Sequence, residues 1–152
     1  MSDKATTSVE LADIISVLFA NCQIKENLHV TQFGVSIVEF RCLRILKGNP
    51  NITVNNLAHK MSLTSSRITR IVDGLVKKKL VDRISGENDR RIYHLSLTSQ
   101  GKNLILEMLE KYNEMHDEIL RPIPPEQKTI MLDCLKQLNR AVTSWLQAEN
   151  QN

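Results

Sequence analysis

A chain of 152 residues with 41% apolar side chains has room for one packed domain, or for one core and a dimerisation lobe. Three scattered cysteines (Cys22, Cys42, Cys134), with no CxxC pair and no His at zinc-finger spacing, exclude a disulfide scaffold and a structural zinc site. The net charge of +3 is mild but unevenly spread: residues 52–100 hold nine Lys/Arg against four Asp/Glu, a surplus of +5 that leaves −2 for the remainder, which is the footprint of a phosphate-binding surface.

The N-terminus, MSDKATTSVELAD, lacks a basic region followed by an apolar run, so no signal peptide is expected. No apolar run is expected to span a membrane, and a reducing cytoplasm is the default compartment. Residues 1–7 are small and polar and are expected to fray. Ser8 can cap a helix in which Leu11, Ile14, Ile15, Leu18 and Cys22 share a stripe, with Val17 and Phe19 off it. A helix apolar on more than one side is buried by two partners, such as its own core and another subunit. Asn21 to Gly34 reads as a less regular connection.

Ser36 and Glu39 have the spacing of a capping box. The helix they open carries Phe40, Cys42, Leu43, Ile45 and Leu46 to Lys47, and Gly48-Asn49-Pro50-Asn51 stops it. Thr53 caps a short helix bearing Val54, Leu57 and Met61 on one face. After a break at Ser62-Leu63-Thr64, Thr64 caps a second helix. Its Ile68, Ile71, Val72 and Leu75 form an apolar back, and Ser65, Ser66, Arg67, Thr69, Arg70 and Asp73 crowd the front. Short hydroxyls and Arg near a helix start are what base edges and phosphates require. Two β-rich runs follow, Val81–Ile84 and Ile92–Leu97, around the polar loop Ser85–Arg91.

Thr98 caps a long helix with Ile105, Met108, Leu109, Tyr112, Met115 and Ile119 along one side, broken at Arg121-Pro122-Ile123-Pro124-Pro125. Pro125 suits the first turn of a last helix lined by Ile130, Met131, Leu135, Leu138, Val142 and Trp145. The expected fold class is therefore mainly α with a small β-wing.

Leu63-Thr64-Ser65-Ser66-Arg67-Ile68-Thr69-Arg70-Ile71-Val72-Asp73-Gly74-Leu75, Lys79-Leu80-Val81-Asp82-Arg83, Asp89-Arg90-Arg91 and Leu97-Thr98-Ser99-Gln100-Gly101 together resemble the MarR family of bacterial winged helix-turn-helix regulators. The spacing matches across all four blocks, and the resemblance covers nearly the whole chain. Lys79 stands where the family often has Gly; a non-Gly residue can still adopt a left-handed cap there at some cost. The resemblance implies a single MarR-type domain over residues 1–152, with a DNA-binding lobe at 36–100 and dimerisation helices at 8–34 and 101–148 that interlock about a two-fold axis. It further implies a homodimer that binds a pseudo-palindromic operator in double-stranded DNA, and a possible small-molecule effector in a pocket between the lobes.

The candidate DNA contacts are Thr64, Ser65, Ser66, Arg67, Thr69 and Arg70 on the second short helix, and Arg83, Asp89, Arg90 and Arg91 on the wing. By resemblance, Asp89 pairs with Arg83 across the wing base and aims Arg91 at the minor groove. The candidate ligand contacts are His29, Phe33, Phe40, Tyr112 and His116. Cys22 supports an alternative, redox-responsive reading, because some family members carry a sensing thiol in the first helix. Its place on an apolar stripe favours packing, as do the apolar neighbours of Cys42 and Cys134. No Ser/His/Asp set, paired acid motif, Gly-rich phosphate loop or metal cluster points to an enzyme, and no cofactor or metal is expected.

Overall fold

A computed structural model describes residues 2–85 and 93–149. Six helices and three strands follow in the order α1 (Ser2–Thr31), α2 (Ile37–Gly48), β1 (Ile52–Thr53), α3 (Val54–Met61), α4 (Ser65–Lys77), β2 (Val81–Ser85), β3 (Tyr93–Leu97), α5 (Ser99–Leu120) and α6 (Pro125–Glu149). The chain divides into two compact units, Met1–Lys111 and Tyr112–Asn152.

The first unit holds the buried core. Phe40, Leu43 and Leu46 of α2 pack with Leu57 of α3, Ile68, Val72 and Leu75 of α4, Leu95 of β3, and Ile105 and Met108 of α5. Fully burying each such side chain contributes about 1.5–3 kcal/mol before entropy is counted. β3 is the centre of an antiparallel sheet ordered β1-β3-β2, in register Ile52↔Leu95 on one side and Val81↔Leu97 on the other. β1 was not legible, because two residues carry no alternation. His94 holds it through Nδ1 against the Asn51 carbonyl at 2.8 Å.

The starts of α2, α3, α4 and α5 lie where the hydroxyl caps placed them. Ser36 and Glu39 form the reciprocal capping box, Thr53 Oγ1 accepts from the Asn56 N–H, and Thr64 Oγ1 accepts from the Arg67 N–H. Thr98 Oγ1 accepts from the Gly101 N–H at 2.9 Å to open α5. Pro125 opens α6 as expected.

Three expectations at the N-terminus are corrected. α1 begins at Ser2, ahead of the Ser8 cap, and Asn21–Thr31 is helical where an irregular connection was expected. No Gly or Pro interrupts residues 2–31, so nothing stops propagation until Thr31 Oγ1 takes the Asn27 carbonyl and Gly34 turns left-handed at φ 66°. Helix Thr6–Thr31 is also long and apolar enough, by length and composition, to cross a membrane, contrary to the expectation that no segment was. Val9, Ile14, Val17, Phe19, Ile24 and Leu28 are all exposed on it. In the second unit α6 buries none of its residues, and Ile130, Leu135, Val142 and Trp145 are exposed.

Two of the three left-handed non-glycine residues among those described end helices of the DNA-binding lobe. Ser62 (φ 52°) ends α3, its N–H on the His59 carbonyl and the Leu63 N–H on that of Ala58. Lys79 (φ 58°) ends α4 in the same way, its N–H on the Val76 carbonyl and the Leu80 N–H on that of Leu75. Both are Schellman turns built without glycine. Beside the second turn, a Cβ on Gly101 would overlap the Leu80 carbonyl oxygen.

A polar clasp ties α4 to the approach of α2. Glu39 Oε2 accepts from the Ser36 N–H at 2.7 Å and from Lys78 Nζ at 2.8 Å, and Lys78 Nζ also donates to the Gly34 carbonyl at 2.9 Å. Burial pushes the Glu39 carboxyl up, but the bond and charge of Lys78 and the bonds from Ser36 outweigh it and hold the group below its ordinary value.

These features give two expectations. Lys79→Gly removes the left-handed cost and stabilises the fold by about 1 kcal/mol, whereas Gly101→Ala forces Leu80 aside and costs about 2 kcal/mol or more; urea unfolding of both variants reads the signs. A carboxyl whose folded pKa is lowered adds stability above its unfolded pKa and loses it as pH falls through the folded value. The stability gap between wild type and Glu39→Gln is therefore widest near neutrality and closes on acidification. A gap that did not vary with pH would mean that the clasp is held by shape rather than charge.

Candidate nucleic-acid interface

α4 is divided lengthwise. Ile68, Val72 and Leu75 are fully buried, while Ser65, Ser66, Arg67, Thr69 and Arg70 are exposed on the opposite side. The division follows from spacings of three and four on a 13-residue helix, and the apolar side fixes which way the polar side faces.

The exposed hydroxyls are organised before any ligand arrives. Thr64 Oγ1 caps the helix and lies 3.2 Å from Ser66 Oγ. Ser65 Oγ donates to Asn55 Oδ1 at 3.0 Å, tying the start of α4 to the start of α3. Thr69 Oγ1 donates back to the Ser65 carbonyl at 2.8 Å. Arg67 and Arg70 extend from this scaffold with their side chains in solvent. Asn55 was not among the expected contacts; its place in the first turn of α3, the helix that crosses the backbone in a helix-turn-helix, was the available signal.

The wing is joined to α4 through Arg83. Arg83 on β2 forms an ion pair with Asp73 Oδ1 on α4 at 2.7 Å, and its Nη2 also donates to the Thr69 carbonyl at 3.4 Å. The expected partner, Asp89, lies outside the described residues, as do Arg90 and Arg91. Asp73, read from sequence as one more residue on the polar front, is thus an anchor for the wing. Thr53, Asn55, Ser65, Thr69, Arg83 and Tyr93 border a cleft of about 370 Å³ between α3, α4 and the sheet. Tyr93, exposed at the start of β3, is a second polar group that sequence reasoning passed over.

The candidate ligand contacts fall into two sets. His29, Phe33 and Phe40 meet edge to face, with ring centroids 5.4 Å apart for His29–Phe33 and 5.3 Å for His29–Phe40. His29 is only 3% exposed and Phe40 1%, so these two are packed in the core, while Phe33 is half-buried; the Arg44 guanidinium lies 5.7 Å over the Phe40 ring. Tyr112 and His116 form the other set in the second unit, with centroids 4.3 Å apart and His116 Nδ1 2.6 Å from the Tyr112 carbonyl oxygen.

Cys42 is buried, and burial, with the charge of Glu39, pushes its thiol up to about 12, so it stays protonated at neutral pH. Cys22 is half-buried. Cys134 is exposed, which corrects its assignment to the core. Among the described residues no group of three or more His, Cys, Asp or Glu is placed to hold a metal ion.

Residues 35–93 match the model of the MarR family. The chain is 29% identical over 109 residues to the HTH-type transcriptional regulator FarR of Neisseria gonorrhoeae, covering 72% of this chain and 75% of that one. A MarR family protein from Bacillus stearothermophilus superposes with a TM-score of 0.81 at 26% identity, over 90% of this chain and 96% of that one. Streptococcus pneumoniae FabT, solved in complex with DNA, superposes with a TM-score of 0.80 at 20% identity, over 90% and 98% of the two chains. The capped α3–α4 pair, the wing strands and these likenesses agree: the chain is similar to MarR family proteins over most of its length and has their winged helix-turn-helix fold.

Proposed function

We propose that this protein is a sequence-specific DNA-binding transcriptional regulator, a repressor that works in the cytoplasm as a homodimer and answers to a small-molecule effector. The observation that carries the reading is the division of α4. A polar, Arg-bearing side stands in solvent while three fully buried residues pin the helix to the core. The reading has α4 enter the major groove with Arg67 and Arg70 on base edges or phosphates. The capped start of α3 meets the backbone, and the wing reaches the adjacent minor groove. The DNA complex of the Streptococcus pneumoniae neighbour supports this use of the fold.

The homodimer reading rests on apolar surface. α1 and α6 each expose large side chains that their own unit leaves uncovered, Phe19 and Leu28 on one and Ile130 and Trp145 on the other. A second copy would cover such surface and would set two α4 helices about one DNA turn apart, ~34 Å. The same reading accounts for the membrane-like length and hydropathy of Thr6–Thr31 as a subunit contact. An effector would shift occupancy only as far as it prefers one spacing of the α4 pair over the other. The redox alternative, with Cys22 as sensor, predicts that Cys22→Ser abolishes any oxidant response; retention of the response would exclude it.

Arg67→Ala and Arg70→Ala should each weaken binding to an operator selected from random DNA by ~1–3 kcal/mol where the lost contact is bidentate to a base. Fluorescence anisotropy at fixed salt measures this, and wild-type affinity in both variants would sink the α4 assignment. Trp145→Glu should yield monomer by light scattering and lose operator affinity with it, since the two half-sites no longer bind as one unit. A Trp145→Glu protein that remains dimeric and binds normally would place Trp145 outside the subunit contact.

A further inference from the structure

Lys78 caps the end of α4 and ties that end to a distant part of the chain. Its backbone N–H closes the last turn of α4 on the Gly74 carbonyl at 3.1 Å, and the next residue, Lys79, is left-handed. The backbone on both sides of Lys78 is therefore fixed, and its side chain reaches the corner between α1 and α2, 44 residues back. There Nζ donates to the Gly34 carbonyl at 2.9 Å and to Glu39 Oε2 at 2.8 Å, using two of its three N–H donors. Glu39 is itself tied into the corner by the Ser36 N–H. α4 runs close beside this clasp, because a Cβ on Gly74 would meet Glu39 Oε1 at 3.4 Å.

The corner is bound in turn to α1. His29 and Val30, near the end of α1, are each 3% exposed. The His29 ring meets Phe33 in the corner and Phe40 on α2 edge to face, and Glu26 of α1 pairs with Arg41 of α2. Apolar burial between helices is non-directional, whereas hydrogen bonds from a charged group hold both distance and angle. The Lys78 side chain is 41% exposed, so its ion pair adds little to stability, and what it supplies is direction.

We propose that Lys78 is a positioning residue that makes the end of α4 follow the α1–α2 corner, so that a shift of α1 against α2 is passed to the DNA-facing helix. The link itself stands on contacts within the first unit. Its consequence for DNA rests on the DNA-binding reading above.

Two variants separate this role from a direct contact with DNA. Lys78→Met deletes a cation and Glu39→Gln deletes an anion, and Gln at that position keeps the capping box with Ser36. Charges acting directly on phosphates would make the two variants move DNA affinity in opposite directions. Acting through the clasp, both should lower operator affinity, each about tenfold, and the double variant should bind no more weakly than the weaker single one. In Lys78→Met the slope of log K against log salt should keep its wild-type value, where a lost phosphate contact would make it shallower by about one unit. Opposite shifts, additive losses, a shallower slope or wild-type affinity in both variants would each overturn the positioning role on DNA.

Amide hydrogen exchange of the full chain without DNA tests the link alone. Lys78→Met and Glu39→Gln should both speed exchange at Gly34 and Ser36 in the corner and at Lys78 and Lys79 at the end of α4, while the core amides of Leu57 and Ile68 keep their wild-type rates. Wild-type exchange at Gly34 and Ser36 in both variants would overturn the link whatever becomes of the DNA reading. Faster exchange there, in a protein whose wild type selects no operator, would support the link and overturn only its consequence for DNA.

Discussion

The DNA-binding lobe depends on one backbone contact, where two corners of the chain meet back to back. Leu80 leaves the α4 cap with its carbonyl accepting the Thr98 N–H at 3.1 Å, and Thr98 Oγ1 donates to the Lys79 carbonyl at 2.7 Å. The same Oγ1 caps α5 through the Gly101 N–H. Four elements therefore converge on Lys79, Leu80, Thr98 and Gly101: the end of α4, the start of β2, the end of β3 and the start of α5. The approach is close enough that only glycine fits at Gly101. Buried backbone groups at such a junction must be paired, and here the pairing also sets the direction in which the wing leaves the recognition helix.

The sequence announced this junction only in part. Thr98 and Gly101 read as a helix start, and Lys79 read as a left-handed cap on resemblance alone, since a Lys at that position carries no local signal for positive φ. Caps and periodicity were legible because each is a short-range rule: a hydroxyl three residues ahead of its N–H, or apolar residues three and four apart. Arg83 shows what escapes such rules. Its partner, Asp73, is ten residues away in sequence and becomes a neighbour only after the α4–β2 corner folds. β1 escaped for the same reason, because a two-residue strand is defined by β3 and not by its own residues. The extent of α1 was missed by the opposite error. Asn21 to Gly34 read as a less regular connection, yet the absence of Gly and Pro before Gly34 was the stronger fact.

α1 and α6 present a problem that the core does not. A winged helix of this size has a complete interior in Phe40, Leu43, Leu57, Ile68, Leu75, Leu95, Ile105 and Met108. The apolar residues of the two terminal helices are additional to that interior. Single exposed apolar residues are ordinary, but rows of them along two helices of 30 and 25 residues are what the proposed homodimer would cover. Composition alone cannot tell such a helix from a membrane span, which is why Thr6–Thr31 satisfies the length and hydropathy of one. The distinction lies in what the rest of the chain does. A helix attached to a lobe with a basic surplus and a polar reading helix is better used to pair two such lobes than to anchor one.

The ion pair between Arg83 and Asp73 shows how little energy the geometry needs. An exposed pair of this kind contributes roughly 0–1 kcal/mol to stability, too little to hold a domain together. Its value is positional. Arg83 touches α4 twice, at the Asp73 carboxylate and at the Thr69 carbonyl, so β2 and the reading helix share orientation. Thr69 in turn holds the Ser65 carbonyl, and Ser65 holds Asn55 on α3. A chain of individually weak contacts thus runs from the wing through the start of α4 to the start of α3. Each link costs little to break, yet each removes a rotation that would otherwise have to be frozen when DNA is bound. On the proposed reading, the benefit of that order would fall on affinity and specificity rather than on the stability of the free protein.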